Sequence, residues 1–429
     1  VEKFDVVVVG AGLAGSAAAY EAARAGRQVL LVERGPRPGT KTVSGGLLYT
    51  HALSAMFPEF WKEEPAPVER AITRNVLSLL TPSRAASLDF YDAAFGAPPF
   101  NAFSVLRSRL DPWLAGKAEA AGAVPVYGAK VDGLLREGGR VVGIRSGGDE
   151  LRADVVIDAE GVNAWTSRQA GQQPEADPGT VGVGVKQVIG LPPGEVERRF
   201  QLKGLEGAQI TTVGFPPGIE GGAFLYTNRD SLSLGLILNM KSLVDRDVRM
   251  YEVLEEFKQH PWIQRFLDGG TLLEYSGCFV SEGGLPQIPI LMGPGYLLAG
   301  SAAGLFLNTG FTLRGMDFAL ESGRIAGQVA AEAVRAQDTS LATLSRYADR
   351  LRQSFVLRHL TTYRHYARVF ENPRLYSLYP EMLTTLLHRA FFVDGNDREH
   401  LNALLRASYR GQVSLWTLGR DLWKAMRTL

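Results

Sequence analysis

Apolar and polar positions alternate along the chain in three different ways, and each predicts a different architecture. Near the start, Val6 to Val9 form an unbroken apolar run, as expected of a parallel strand buried on both faces. A small-residue helix follows (Ala14, Ala17, Ala18, Ala22), stops at Gly26, and gives way to a second strand, Val29 to Val32, that ends on Glu33. Residues 104–122 (SVLRSRLDPWLAGKAEAAG) read as a strand end and a helix, with Asp111 as N-cap and Pro112 as first helical residue. Residues 124–161 predict a strand, a hairpin around Gly138-Gly139 and a buried strand, Val155–Ile157, that ends in DAEG. Between 180 and 280 the pattern changes to short alternating or apolar runs separated by Gly, Pro and Asp, which is the signature of an antiparallel sheet. From 340 onward, aromatic and basic residues recur at helical spacing. The fold class is therefore α/β: a Rossmann-like ββα unit, an inserted antiparallel-sheet domain and a helical C-terminal region.

The junction of the first strand and helix carries the first chemistry. Gly10, Gly12 and Gly15 give GxGxxG directly after the strand. Gly10 permits the tight turn, Gly12 lets the backbone approach a pyrophosphate, and Gly15 lets helix and sheet pack closely. The helix N-terminus presents free N–H groups to phosphates, and Glu33 can accept hydrogen bonds from ribose hydroxyls. The complete order strand–turn–helix–strand–acid marks a dinucleotide site but does not separate FAD from NAD. Its place within ten residues of the first residue, with no second GxGxxG later, favours FAD held along the chain, with electrons supplied from elsewhere.

Composition narrows the class. The 429 residues are 45% hydrophobic and 21% charged, which suits two or three soluble globular domains. No apolar run reaches about 18 residues, the length that would suggest a membrane span. The chain reaches a strand by Phe4, so no signal peptide is expected, and a cytoplasmic location fits. A single cysteine, Cys278, rules out a disulfide framework and leaves this chain unable to ligate an iron–sulfur cluster or Cys-rich zinc site alone. The six histidines show no metal-ligand spacing, and His359 and His365 read as surface or packed residues. Neither a metal nor nucleic acid is expected. Residues 341–429 hold 14 Lys/Arg against 7 Asp/Glu. Such a tail suits an anionic membrane surface, an acidic partner or a solvated helical face. In VSLWTLGRDLWKAMRTL (413–429), Val413, Trp416, Trp423, Met426 and Leu429 fall near one face, with Arg420, Lys424 and Arg427 beside it. That helix fits a membrane interface, a partner protein or internal packing.

The order of these motifs resembles the flavoprotein superfamily of p-hydroxybenzoate hydroxylase and the geranylgeranyl reductases. More specifically, the chain resembles the FixC (EtfC) branch, relatives of electron-transfer flavoprotein:quinone oxidoreductase. The segments that carry this likeness are GTKTVSGGLLYTHAL (39–53), GGAFLYTNRDSLSLGLIL (221–238), FKQHPWIQRFLDGGTLLEYSG (257–277), EGGLPQIPIL (282–291), LNTGFTLRGMDFALESG (307–323) and TYRHYARVFENPRLYSLYP (362–380). Much of the superfamily has GDAAG where this chain has Gly300-Ser301-Ala302-Ala303-Gly304. The quinone-oxidoreductase relatives also tend to lack that acid, so Ser301 leans toward their branch.

The resemblance implies FAD. It places Gly10, Gly12, Ala14, Gly15, Glu33 and Arg34 at the nucleotide, with Arg107, Val131, Ala159 and Gly161 as further contacts, and Gly300 and Ser301 by the ribityl chain and pyrophosphate. The 39–50 loop is expected to lie beside the isoalloxazine ring. There, Lys41, Ser44, Gly45 and Gly46 would contact it, with Lys41 stabilising negative charge on reduced flavin. NTGFTLRGMD is expected to begin a helix whose N–H groups near Gly310, Phe311 and Thr312 face the flavin N1–C2=O edge. Phe224, Leu225, Tyr226, Leu232, Leu234 and Leu236 read either as the lining of an apolar quinone channel or as core. The implied FAD domain comprises 1–72, 101–178 and 286–338, the substrate domain 73–100 and 179–285, and the helical region 339–429.

The function implied is electron transfer from an electron-transfer flavoprotein (a FixA/FixB-type pair) to a membrane quinone. A separate ferredoxin-like FixX-type chain would hold the cluster, and the chain would sit peripherally on the inner face of the cell membrane. No side chain is singled out as catalytic. A geranylgeranyl-type reductase and a non-catalytic FAD-bearing assembly subunit remain as alternatives.

Overall fold

The computed structural model describes residues 3–41, 45–169, 171 and 177–429. The strand Lys3–Val9 lies at the centre of the first sheet because Val6, Val7 and Val8 are wholly buried on both faces. Five parallel strands run in the order Tyr296–Leu298, Asp149–Asp158, Lys3–Val9, Val29–Glu33 and Val124–Tyr127. The hairpin Val131–Glu137 and Arg140–Ser146 extends Asp149–Asp158 in antiparallel fashion.

Two helices cross closely against this sheet. A Cβ built at Gly323 of Met316–Arg335 would lie 2.0 Å from the carbonyl oxygen of Ala14, and one at Gly327 would lie 2.3 Å from that of Ala18. Glycine at these two positions, facing the alanines of Leu13–Arg24, sets how near the backbones come.

The second sheet runs Thr271–Ser281, Val181–Gly190, Ser231–Asn239, Gly221–Thr227, Glu206–Val213, Ala71–Leu80, Ala102–Val105 and Gly46–Tyr49, with Ala85–Tyr91 paired to Ala71–Leu80. It is antiparallel except where Glu206–Val213 meets Ala71–Leu80. It also recruits Gly46–Tyr49 and Ala102–Val105, from segments that the sequence division assigns to the FAD unit. Strand periodicity sorts its side chains. Leu225, Leu232, Leu234 and Leu236 pack with Val253, Leu254, Phe257 and Ile263 of the helices Met250–Gln259 and Pro261–Leu267. Phe224 and Tyr226 point the other way.

Two expected boundaries move. The helix Arg107–Ala120 begins at Arg107, so Asp111 and Pro112 lie in its second turn and not at its cap. Leu106 is extended and its carbonyl already accepts from Leu110, which starts the helix early; Pro112 merely leaves the Ser108 carbonyl without its i+4 donor. Likewise, residues 307–314 form a small hairpin (Leu307–Asn308 with Leu313–Arg314), and the helix starts only at Met316.

The C-terminal region divides in two. Tyr347 is buried and donates to the Leu298 carbonyl at 2.9 Å, and Leu351, Val356 and Leu360 join the main core. Beyond Leu378–Phe391, apolar residues stand exposed, among them Phe392, Trp416, Trp423 and Met426. Among the described residues, no helix is long and apolar enough to cross a membrane.

Candidate cofactor site and adjoining cavity

The glycines of the first turn are fixed by contact. Gly10 has φ +95°, and a Cβ there would lie 2.6 Å from the Ala159 carbonyl oxygen. A Cβ at Gly15 would lie 1.8 Å from the Gly10 carbonyl oxygen. The first intrahelical bond runs from Ser16 N–H to the Gly12 carbonyl, so the N–H groups of Ala14 and Gly15 in the first helical turn are free for phosphate oxygens. The Glu33 carboxylate accepts from Ala11 N–H (3.0 Å) and Gly35 N–H (2.7 Å), which fixes it at the end of the second strand with lone pairs left for ribose hydroxyls.

Other expected nucleotide contacts converge on this turn. Ala159 and Gly161 (φ +85°) follow the neighbouring strand, and Ala129, two residues before Val131, donates to the Glu33 carbonyl at 3.0 Å. Arg34 faces Glu160 closely enough to pull its carboxyl down, although burial outweighs this and leaves it raised. Arg107 binds Asp111 through both carboxylate oxygens (2.5 and 2.8 Å), and this holds its guanidinium 3.6 Å from where a Gly12 Cβ would stand. Gly300 (φ +68°) donates to Ser322 Oγ at 3.0 Å and abuts Ala14, bringing exposed Ser301 to the same helix end. A backbone cradle that side chains would fill, free N–H donors, a fixed acid and a poised Arg together fit the pyrophosphate and ribose of FAD.

At the flavin end the assignments shift. Gly45 (φ +81°) lies against Ser233, and a Cβ on Gly46 would lie 3.0 Å from Met316 Cε and 4.0 Å from Lys186 Nζ. Lys186 donates to the Gly45 carbonyl at 2.7 Å and its ammonium sits 5.1 Å from the centre of the Phe224 ring. Burial pushes its pKa down to about 8. Lys41, the cation expected here, is exposed, and Ser44 lies outside the described residues.

The expected donors at Gly310, Phe311 and Thr312 belong to the hairpin turn. Gly310 N–H is taken by Asn308 Oδ1 (2.8 Å), Thr312 N–H by Thr309 Oγ1 (3.2 Å), and Phe311 is exposed. The free N–H groups of the helix are those of Met316, Asp317 and Phe318, because the first bond within it is Ala319 N–H to the Gly315 carbonyl. Met316 lies beside Gly46, so the free N–H groups of this helix, and not those of 310–312, adjoin the Gly45-Gly46 loop.

Beside it sits a polar group that sequence reading did not find. Arg314 binds buried Asp317 (Nε to Oδ2, 2.9 Å) and His359 Nδ1 (2.7 Å), and His51 Nε2 lies 3.5 Å from the same carboxylate oxygen. Burial pushes the neighbouring Tyr49 hydroxyl up to about 12. Among the described residues no group of His, Cys, Asp or Glu is arranged to hold a metal.

A cavity of about 500 Å³ opens on the far side of Lys186. Phe224, Tyr226 and Ile237 of the second sheet line it, together with Phe306 and Leu313 near the hairpin and Tyr366, Phe370, Tyr376 and Leu429 of the helical region. Phe224 and Tyr226 stack with ring centres 4.9 Å apart. Glu282 is a half-buried carboxyl on the wall, and desolvation pushes it up to about 7. Its size and apolar lining suit a small organic ligand. Of the six residues offered as a channel, only Phe224 and Tyr226 line it; the four leucines are core.

Comparison with known proteins agrees with this geometry. Residues 5–164 match the FAD dependent oxidoreductase family, residues 181–279 the family described as ETF-QO, ubiquinone-binding, and residues 366–429 the ETF-QO/FixC family C-terminal domain. The chain is similar to the probable electron transfer flavoprotein-quinone oxidoreductase YdiS of Escherichia coli strain K12, at 44% identity over 98% of this chain and 97% of that one. It is 42% identical to Protein FixC of the same strain over 92% of each chain. Among solved structures, a geranylgeranyl bacteriochlorophyll reductase-like protein from Thermoplasma acidophilum shares the fold (TM-score 0.72, 21% identity, 99% of both chains). So does the myxobacterial halogenase CndH (TM-score 0.65, 18% identity, 100% of this chain and 91% of that one). The protein is thus an FAD-dependent flavoprotein oxidoreductase. Within that class, the chain belongs to the ETF-QO/FixC family.

Proposed function

We propose that this chain accepts electrons from an electron-transfer flavoprotein pair and delivers them, through FAD, to a membrane quinone that enters the cavity. The observation that carries the reading is the shared wall: Lys186 touches the flavin loop at Gly45 and the cavity wall at Phe224. FAD, when bound, supplies the redox chemistry. The first turn and Arg107 hold its pyrophosphate, Glu33 its ribose, and the Met316–Phe318 N–H groups its pyrimidine edge. Phe224, Tyr226 and Ile237 exclude water from the quinone ring, and Glu282 is placed to hold a proton at the cavity wall.

With one cysteine in the chain, the cluster of the scheme belongs to a separate ferredoxin-like subunit. The exposed Trp416, Trp423 and Met426 with Arg420 and Arg427 support a peripheral seat on the inner face of the cell membrane. Loss of vesicle binding in a Trp416→Ser/Trp423→Ser variant is expected; unchanged binding would remove that part of the proposal. The whole reading is tested by mixing the FAD-loaded chain anaerobically with a reduced electron-transfer flavoprotein pair. Bleaching of its flavin absorbance, reversed by a quinone analogue, is the expected result. No bleaching with any such donor, while a prenyl double bond is hydrogenated, would reassign the protein.

A further inference from the structure

We propose that Lys186 is the cation that balances the negative charge FAD gains on reduction, acting from the partition between the cofactor loop and the cavity. Among the described residues, three cations lie along the site from the nucleotide turn to the Gly45-Gly46 loop. Arg107 is engaged with Asp111 through both oxygens, and Arg314 with Asp317 and His359. Lys186 instead donates to a neutral acceptor, the Gly45 carbonyl, at 2.7 Å and lies 5.1 Å over the Phe224 ring. No salt bridge to it is formed among the described residues.

The placement is unusual for a lysine. It sits in the apolar strand Val181–Gly190 beneath Gly45-Gly46, and Gly235 on the neighbouring strand leaves room for its stem, since a Cβ there would lie 2.7 Å from Lys186 Cγ. An ammonium in a partly desolvated pocket without a carboxylate is held at a disadvantage, which agrees with its lowered pKa of about 8. Arg107 adds to that disadvantage, and the Cys278 thiol on the adjacent strand is the titratable neighbour that opposes it. Two electrons and one proton added to the isoalloxazine leave one net negative charge beside this group. Two electrons and that one proton later leave for the quinone, which takes its second proton from solvent, and the charge disappears. The ion pair therefore exists only in the reduced state, so it raises the cofactor's potential and does not merely tighten binding.

The proposal rests on FAD binding but not on the donor or the quinone, because dithionite can serve as reductant. Lys186→Met, Lys186→Gln and Lys186→Arg are loaded with FAD, and their midpoint potentials are measured by anaerobic titration against an indicator dye. Gln keeps a donor for the Gly45 carbonyl without charge, and Arg keeps the charge. The Met and Gln variants are expected to bind reduced FAD about tenfold more weakly relative to oxidised FAD, read as a fall of about 30 mV for a two-electron couple, with Arg near wild type. Wild-type potentials in the Gln variant, or an equal shift in Gln and Arg, would overturn the proposal. Should the Met variant fail to fold, the Gln and Arg pair decides.

Discussion

The Tyr366 hydroxyl donates to the backbone carbonyl of Glu282 at 3.0 Å, tying the helical region to the end of the second sheet across the cavity. Its ring also fixes the turn, since a Cβ on Gly284 (φ +62°) would lie 2.8 Å from Tyr366 Cε1. Tyr366→Phe keeps the ring and deletes the bond. A loss of about 1 kcal/mol in unfolding free energy is expected. A raised KM for a quinone analogue with unchanged FAD content would accompany it, checked by denaturant melts and steady-state kinetics.

Helix contact in the cofactor domain is equally specific. Gly323→Ala places a methyl 2.0 Å from the Ala14 carbonyl oxygen, and the first helix must shift from the pyrophosphate site. Destabilisation of roughly 1–3 kcal/mol and reduced FAD content are expected. Gly116→Ala, in an open helical position with nothing within 4 Å, should instead stabilise by about 0.5–1 kcal/mol. Calorimetry of the two variants checks the contrast.

The two faces of the second sheet should separate function from stability. Phe224→Ala removes cavity wall and should raise the KM for a quinone analogue. Leu234→Ala, on the buried face, should cost about 2–5 kcal/mol and leave that KM unchanged. Equal effects on KM would contradict the assignment of the cavity.

Much of this is legible in the sequence. The continuous run Val6–Val9 and the three glycines located the nucleotide turn, because a buried parallel strand and a close backbone approach leave direct marks in sequence. The registers of the second sheet were not legible. Leu232, Leu234 and Leu236 alternate on one strand as a lining would, and only the sheet's packing on Met250–Gln259 shows that they face the core. Lys186 was missed because one charge in an apolar strand has no local signature of its partner, Gly45, which lies 141 residues away in sequence. The helix end expected at Gly310–Thr312 failed for a local reason: Asn308 and Thr309 side chains capture the backbone donors and form a turn.

A pH dependence follows from Glu282. Desolvated at the cavity wall, its carboxyl keeps a proton up to about pH 7, whereas the unfolded chain releases it near 4.5. Between those values the unfolded chain binds fewer protons, so stability falls as pH rises and then levels off. Glu282→Gln should remove that slope. Melting temperatures of wild type and variant, equal at low pH, are expected to diverge in favour of Gln toward pH 7.

The most direct measurement is single-turnover reoxidation. The chain is loaded with FAD, reduced anaerobically with dithionite and mixed with a water-soluble quinone analogue. Rapid, saturable return of the oxidised flavin spectrum, with weaker saturation in Phe224→Ala, is the result expected of an FAD-dependent quinone oxidoreductase. A chain that binds no FAD, or a reduced flavin indifferent to quinone concentration, would contradict the account.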